Sequence, residues 1–261
     1  MQMTAAQLNE FNEQGFIKLG KVIPDADFEK LRQRTDDVTQ GRVEYPGMFF
    51  QLDGSTAEYS SVPQGGGFQG PSDNYRKIEG WEKDPIFLAY IQHPLFRDIT
   101  RKLIGEHISI FRAMFMNKPP HNGTHLPYHQ DGGTGWRLTD YDGEKFVTIW
   151  TALDKATVEN GCVQIVPGSH KLGLLSERGH TISEDHRLQH APAEKSVYLE
   201  AEQGEVFVLH NFLLHRSGIN STDYSRRGFS VCYMDAAIQR VDRPNEVNFP
   251  IVFGPGALTV N

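Results

Sequence analysis

The chain has 261 residues, 38% of them hydrophobic and 23% charged, with 26 Lys and Arg against 33 Asp and Glu for a formal net charge of −7. That length suits one large domain or two small ones and buries a core without disulfide staples, while the acidic balance argues against a nucleic-acid binder that relies on neutralising phosphates. No apolar run reaches the roughly 18 residues of a membrane span, the first residues lack the charged-then-apolar pattern of a secretory signal, so none is expected, and Cys162 and Cys232 form neither a CxxC nor a disulfide framework, so a reducing, cytoplasmic setting is expected.

In chain order, Thr4 and Gln7 make a capping-box pattern, and Leu8 and Phe11 mark the apolar face of a first helix. Gly15 to Leu19 then alternates like a strand, and Asp25 is expected to cap a second helix through Phe28, Leu31 and Val38. From about 41 to 74 the periodicity fails around PQGGGFQGP, with Phe49, Phe50, Tyr59 and Phe68 scattered through it. Such a stretch reads as a lid whose aromatics pack on something. A helix follows from Pro94 to Leu103, with proline in its first turn and Gly105 after it. Segments 108–117, 146–153, 162–167, 196–200, 205–210 and 228–234 are short, β-branched and aromatic, and read as strands. Strands without regular helices between them imply an antiparallel sandwich or barrel. The expected fold is mainly β with N-terminal α-helices around a jelly-roll core.

Eleven histidines need placing. In Tyr128-His129-Gln130-Asp131, an extended backbone turns residues i and i+2 to one face, so His129 and Asp131 can offer a nitrogen and a carboxylate to one ion. His215, beyond the strand 205–210, is the third candidate. Two histidines and a carboxylate form the facial triad of non-haem Fe(II) oxygenases. The alternatives are a plain turn at Asp131-Gly132-Gly133 and His210 as third ligand, although His210 also reads as a core histidine. His170 reads as ordering a turn, and His121, His125, His180, His186 and His190 as solvated loop residues. No HExxH supports a zinc hydrolase.

With these segments on the page, the chain resembles the phytanoyl-CoA dioxygenase family of Fe(II)- and 2-oxoglutarate-dependent oxygenases. The likeness rests on 116–120 (MNKPP), 129–131 (HQD), 150–154 (WTALD), 159–170 (ENGCVQIVPGSH) and 215–220 (HRSGIN), with Arg226 behind. It implies a double-stranded β-helix and a single dioxygenase domain over 1–261. Within it, 1–107 would form helical support and lid, 108–235 the jelly-roll core and 236–261 a C-terminal extension. It implies His129, Asp131 and His215 as iron ligands and Arg226 as the partner of the distal carboxylate of 2-oxoglutarate, with Ser217 assisting. It also sets Lys77, Met114, Gln130 and Trp150 around the cosubstrate, core packing being the other reading of Met114 and Trp150. Arg227 should face outward to solvent, since neighbours on a strand point opposite ways.

The activity implied is oxidation, by O2, of a small metabolite's C–H bond, typically to an alcohol, with release of succinate and CO2. Asp131 stands where related halogenases have a small residue, which disfavours halogenation. An acyl-CoA is not implied, and no basic cluster suited to a CoA phosphate occurs in the variable segments. Substrate contacts are expected from 41–76, 132–141 and 171–195, with Trp136, Arg137 and Tyr141 at the mouth of the site. The partner expected is a small molecule, with no nucleic acid and no membrane. The competing class is a catalytically silent jelly roll that binds a ligand, against which the intact triad and Arg226 weigh.

Overall fold

The structure is a computed structural model and describes residues 2–133, 138–139, 145–176, 181–241 and 249–260. Its α-helices are α1 (Ala5–Gln14), α2 (Asp25–Thr39), α3 (Pro85–Ile91), α4 (Pro94–Leu103) and α5 (Glu184–His190). Its strands are β1 (Phe16–Lys21), β2 (Phe49–Leu52), β3 (Tyr75–Glu79), β4 (Ile108–Lys118), β5 (Leu126–His129), β6 (Phe146–Ala152), β7 (Val163–Ile165), β8 (Val197–Leu199), β9 (Glu205–His210), β10 (His215–Ser217), β11 (Arg226–Asp235) and β12 (Ile251–Phe253).

Local chemistry sets the helical start. The Thr4 hydroxyl accepts from the Gln7 N–H at 3.2 Å while Gln7 Oε1 accepts from the Thr4 N–H at 2.9 Å, the expected capping box. Gly15 closes α1 at φ 79°, and a Cβ there would lie 2.5 Å from the His170 ring, so both conformation and space require glycine. Asp25 is not the cap of α2. Pro24 holds that place without a side-chain bond, and Asp25 stands in the first turn, where its charge opposes the positive helix end.

Two antiparallel sheets face each other as a jelly roll. The larger runs β1-β9-β6-β11-β4-β3-β2, with β12 added on β4; the smaller runs β5-β10-β7-β8. Strand alternation divides the larger sheet's two faces. On β11, Phe229, Val231 and Tyr233 join the helices in the main core, whereas Arg226 and Ser230 face the smaller sheet. Trp81 and Phe87 anchor the helical layer, their ring centroids 6.3 and 4.6 Å from Phe229.

The N-terminal helices and the β-rich core are as expected, and the strand expected at 15–19 is β1. β2 and β3, which were not expected as strands, also precede residue 107 and join the larger sheet with β1, and β12 joins it from Ile251–Phe253. The segment 41–74 is not without structure. β2 lies in it, and Phe50, Phe68 and Tyr75 pack with centroids 5.2 to 6.2 Å apart. Residues 85–91 form a helix that periodicity did not suggest. The Asp84 carboxylate accepts from the N–H groups of Ile86 and Phe87 at 2.9 Å, with Pro85 next in the chain. His186 and His190 lie on α5 and not in a loop.

Arg227 faces away from the inter-sheet space, as strand alternation requires, but does not end in solvent. Its guanidinium forks onto Asp154 at 2.7 and 2.9 Å and reaches Asp36 on α2 at 2.5 Å. With its side chain 17% exposed, this is a partly desolvated clamp between β11, the turn after β6 and α2. Arg227→Ala is expected to cost about 2 kcal/mol of stability, below the range for a fully buried pair, read as a lower denaturation midpoint in urea.

Candidate metal centre and its cavity

β5 and β10 lie side by side in the smaller sheet, with His129 opposite His215 in the ladder. β5 ends at His129 and the chain turns at Asp131. His129, Asp131 and His215 thereby bring one potential ligand atom each within 4.8 Å of the others, the one such group among the described residues. Each ring is fixed in the same way. Nδ1–H of His129 donates to the Pro127 carbonyl and Nδ1–H of His215 to the Leu213 carbonyl, both at 2.9 Å. A carbonyl can only accept, so both rings are held in the tautomer whose Nε2 carries the lone pair, the form a metal needs. Arg112 Nη2 donates to Asp131 Oδ1 at 3.3 Å, and Thr148 Oγ1 lies 3.3 Å from Oδ2.

His210 does not compete for the centre. Its Nδ1 accepts from the Phe212 N–H at 3.0 Å, its ring packs 5.9 Å from Phe11 and 4.9 Å from His170, and burial pushes its pKa down to about 4. His170 lies in the turn expected, with Nε2 3.1 Å from the Asn12 carbonyl.

The triad opens on a cavity of about 340 Å³ between the two sheets. Lys77, Met114, Trp150, Ser217 and Arg226 line it with the triad. Gln130 does not. It is fully buried and turned away, Nε2 donating to the carbonyls of Gly173 and Phe212 at 2.8 and 2.7 Å and Oε1 accepting from the Leu175 N–H at 2.7 Å. Its expected place around the cosubstrate is therefore corrected: it ties two loops together behind the metal centre. Trp136, Arg137 and Tyr141 lie outside the described residues.

Arg226 is 3% exposed. Nη2 donates to the Gly161 carbonyl at 2.9 Å, Nε has no partner, and no ion pair balances the group among the described residues. Burial lowers its pKa to about 10. A buried, uncompensated guanidinium is costly and is met most economically by an incoming carboxylate. Lys77 ion-pairs with Glu79 at 3.1 Å and sits over the Phe49 ring at 4.9 Å. The sequence reading missed Arg112, whose signal is a lone cation inside the apolar strand ISIFRAMFMN, and Thr148, which carries no signal beyond its strand face.

The chain matches the family model described as Phytanoyl-CoA dioxygenase (PhyH) over residues 11–228. It is 28% identical over 245 residues to a Caenorhabditis elegans protein named "Probable phytanoyl-CoA dioxygenase", covering 88% of this chain and 75% of that one. It is 26% identical over 250 residues to the human peroxisomal phytanoyl-CoA dioxygenase, covering 92% and 71%. Among solved structures it is similar to EctD from S. alaskensis with 2-oxoglutarate and 5-hydroxyectoine, at TM-score 0.72 and 16% identity over 98% of this chain and 86% of that one. It is also similar to SnoK, a non-heme alpha ketoglutarate dependent carbocyclase from nogalamycin biosynthesis, at TM-score 0.70 and 21% identity over 95% and 96%. These two likenesses bear on the fold. The expected cytoplasmic setting does not stand, because the human, mouse, rat and bovine relatives are all named peroxisomal. Reduced cysteines carry no information about which non-oxidising compartment holds a chain. Among the described residues no helix is long and apolar enough to cross a membrane.

Proposed function

The chain belongs to the phytanoyl-CoA dioxygenase family, and from that premise we propose that its facial triad binds Fe(II), that Arg226 anchors 2-oxoglutarate, and that the pair oxidises a C–H bond of a small molecule. The observation that carries this reading is the placement of the triad and an uncompensated Arg226 on one cavity. The donor set fits the metal: two imidazoles with Nε2 lone pairs and one carboxylate leave three positions for cosubstrate and O2. The cavity fits the cosubstrate through Arg226, whose guanidinium lacks a carboxylate of its own among the described residues.

Iron with 2-oxoglutarate supplies O2 activation coupled to loss of succinate and CO2, chemistry that belongs to the metal and cosubstrate. The chain's residues orient and shield. Arg112 holds the Asp131 carboxylate, with Thr148 beside it and bonded more closely to Asn211, and the backbone carbonyls of Pro127 and Leu213 hold the two rings. Met114 and Trp150 supply apolar wall against water, and Ser217 is assigned to the cosubstrate carboxylate beside Arg226. Lys77 is assigned to the cosubstrate's rim. Asp131 fills the third ligand position, which supports a hydroxylase over a halogenase. Residues 1–261 are taken as one domain, with substrate contacts from the variable segments, Trp136, Arg137 and Tyr141 among them.

Succinate formation that depends on Fe(II) and rises with one member of a metabolite panel tests the reading. A silent jelly roll would bind a ligand and release no succinate. Gly228 offers a second check on the cavity wall. A Cβ there would lie 2.8 Å from Trp150 Cζ2, so β11 must carry glycine for the indole to lie where it does. Gly228→Ala is expected to push the indole into the cavity, at an overpacking cost of about 1–3 kcal/mol. The measurement is a joint one: a change in indole fluorescence and a fall in turnover of roughly tenfold, with the circular dichroism of the fold retained.

A further inference from the structure

Once iron and 2-oxoglutarate are bound, the described residues of the cavity still hold more positive than negative charge. The charges of Fe(II) and Arg226 are met by Asp131 and the two carboxylates of 2-oxoglutarate, Lys77 is met by Glu79 at 3.1 Å, and Arg112 shares Asp131 with the metal. Three more cations line the cavity, Arg216, Lys118 and Arg76, and none of them makes an ion pair among the described residues. Arg216 is committed to Gln164 Oε1 at 2.6 Å and to the Tyr128 ring, which leaves Lys118 and Arg76.

Their placement is built into the sheet. Lys118 pairs with Arg226 across the β4–β11 ladder. It is 5% exposed, and its ammonium donates to the Thr124 carbonyl at 2.7 Å. An ammonium has three protons to donate, and no second acceptor among the described residues takes one. The Asp53 carboxylate nearby is already engaged by the Thr124 N–H and hydroxyl and by the Gly54 N–H. Burial, and then the neighbouring Arg226 and Arg76, push Lys118 well below its ordinary value against the smaller opposing pull of Asp53, so the charged form is disfavoured here and an anion beside it would restore it.

Arg76 reaches the same space through a β-bulge. Leu52 pairs with Tyr75 and Gln51 with Lys77, which leaves Arg76 as the extra residue, re-aimed to the cavity instead of alternating away from Lys77. Gln51 Oε1 accepts from it at 3.1 Å, and it stacks 5.2 Å over the half-exposed Tyr59 ring. A fork stacked on an aromatic and a point charge beside it are the elements of an anion site.

We infer that the substrate itself carries an anionic group, a carboxylate or a phosphate monoester, held by Lys118 and Arg76 beside the 2-oxoglutarate position. This rests on the dioxygenase reading above. A cavity of about 340 Å³ shared with 2-oxoglutarate further limits the enclosed part of that substrate to a small organic anion.

Calorimetry without oxygen on protein loaded with Mn(II) and 2-oxoglutarate tests it, using propionate, methyl phosphate and the neutral propanamide as probes. Propionate or methyl phosphate should bind, the tighter one identifying the group, and propanamide should not. Lys118→Met and Arg76→Gln should each weaken that anion by about ten- to a hundredfold, the effect of one charge-assisted hydrogen bond. Each should change the affinity for 2-oxoglutarate less than about threefold. If Lys118→Met does not fold, as judged by circular dichroism, the half-buried Arg76→Gln carries the comparison. Loaded protein that binds neither anion overturns the inference. So does a Lys118→Met variant that loses 2-oxoglutarate, which would assign Lys118 to the cosubstrate. Wild-type protein that binds neither Mn(II) nor 2-oxoglutarate would instead overturn the dioxygenase reading, and this one with it.

Discussion

Replacing His129, Asp131 or His215 by alanine is expected to abolish turnover while leaving the fold intact. The three side chains come from the end of β5, the turn after it and the start of β10, and their ligand atoms lie within 4.8 Å of one another. Loss of a hydrogen bond that merely supports a metal ligand costs roughly ten- to a hundredfold in metal affinity. Loss of a ligand should cost more, and no described side chain stands ready to substitute, since His210 is committed to Phe212 and packed against Phe11 and His170. Anaerobic Co(II) titration should therefore show weakened binding in all three variants, and His210→Gln should keep near wild-type affinity. Asp131→Gly should behave like Asp131→Ala, because removing one ligand leaves a space at the metal without restoring a donor. Normal succinate production by His215→Ala would sink the assignment of the third ligand.

Arg112 and Thr148 sharpen that expectation. Arg112 Nη2 donates to Asp131 Oδ1 at 3.3 Å, while the single Thr148 proton is shared between Asp131 Oδ2 at 3.3 Å and Asn211 Oδ1 at 2.9 Å, so Arg112 is the firmer of the two supports that aim the carboxylate. Substituting the ligand and substituting its supports should thus differ in kind. The first removes the donor, and the second lets it swing.

The strands were legible because their chemistry is local. β-branched and aromatic runs between turn residues gave 205–210 as observed, and 146–153, 162–167 and 196–200 within two residues at either end. Pro94 and Gly105 bracketed α4 for the same reason. β2 and β3 were hidden because β2 is an edge strand, β3 pairs with strands more than twenty residues away on either side, and the alternation of β3 is broken by a bulge at Arg76. α3 is only Pro85–Ile91 and nearly all apolar, too short for a helical period, so its one signal was Asp84-Pro85. The metal ligands were legible as spacing plus chemistry. Gln130 was misplaced because it sits inside the same motif, yet β5 ends at His129 and the backbone turns its amide to Gly173 and Phe212. Charge balance was not legible at all. That Arg227 is neutralised by Asp154 and Asp36, while Arg226 next to it is neutralised by nothing among the described residues, depends on which face of β11 meets α2.

That contrast sets the second large effect. Arg226→Ala should raise the apparent constant for 2-oxoglutarate by roughly ten- to a thousandfold, the equivalent of the 2–5 kcal/mol lost when one partner of a buried, hydrogen-bonded charge pair is truncated. Metal affinity measured without cosubstrate should stay near wild type, because Arg226 is no ligand. Protein stability should not fall as it does for a broken ion pair, since among the described residues the guanidinium has only the Gly161 carbonyl as partner and burial has already lowered its pKa to about 10. Removing an uncompensated buried charge can even stabilise the protein. Arg227→Ala should do the reverse, lowering the denaturation midpoint and sparing the constant for 2-oxoglutarate. The two neighbours thus separate binding from stability along one strand, and the paired measurement is decisive. Equal effects of both substitutions on 2-oxoglutarate would mean that β11 does not present Arg226 alone to the cavity, and the cosubstrate's anchor would then have to be sought at Lys118.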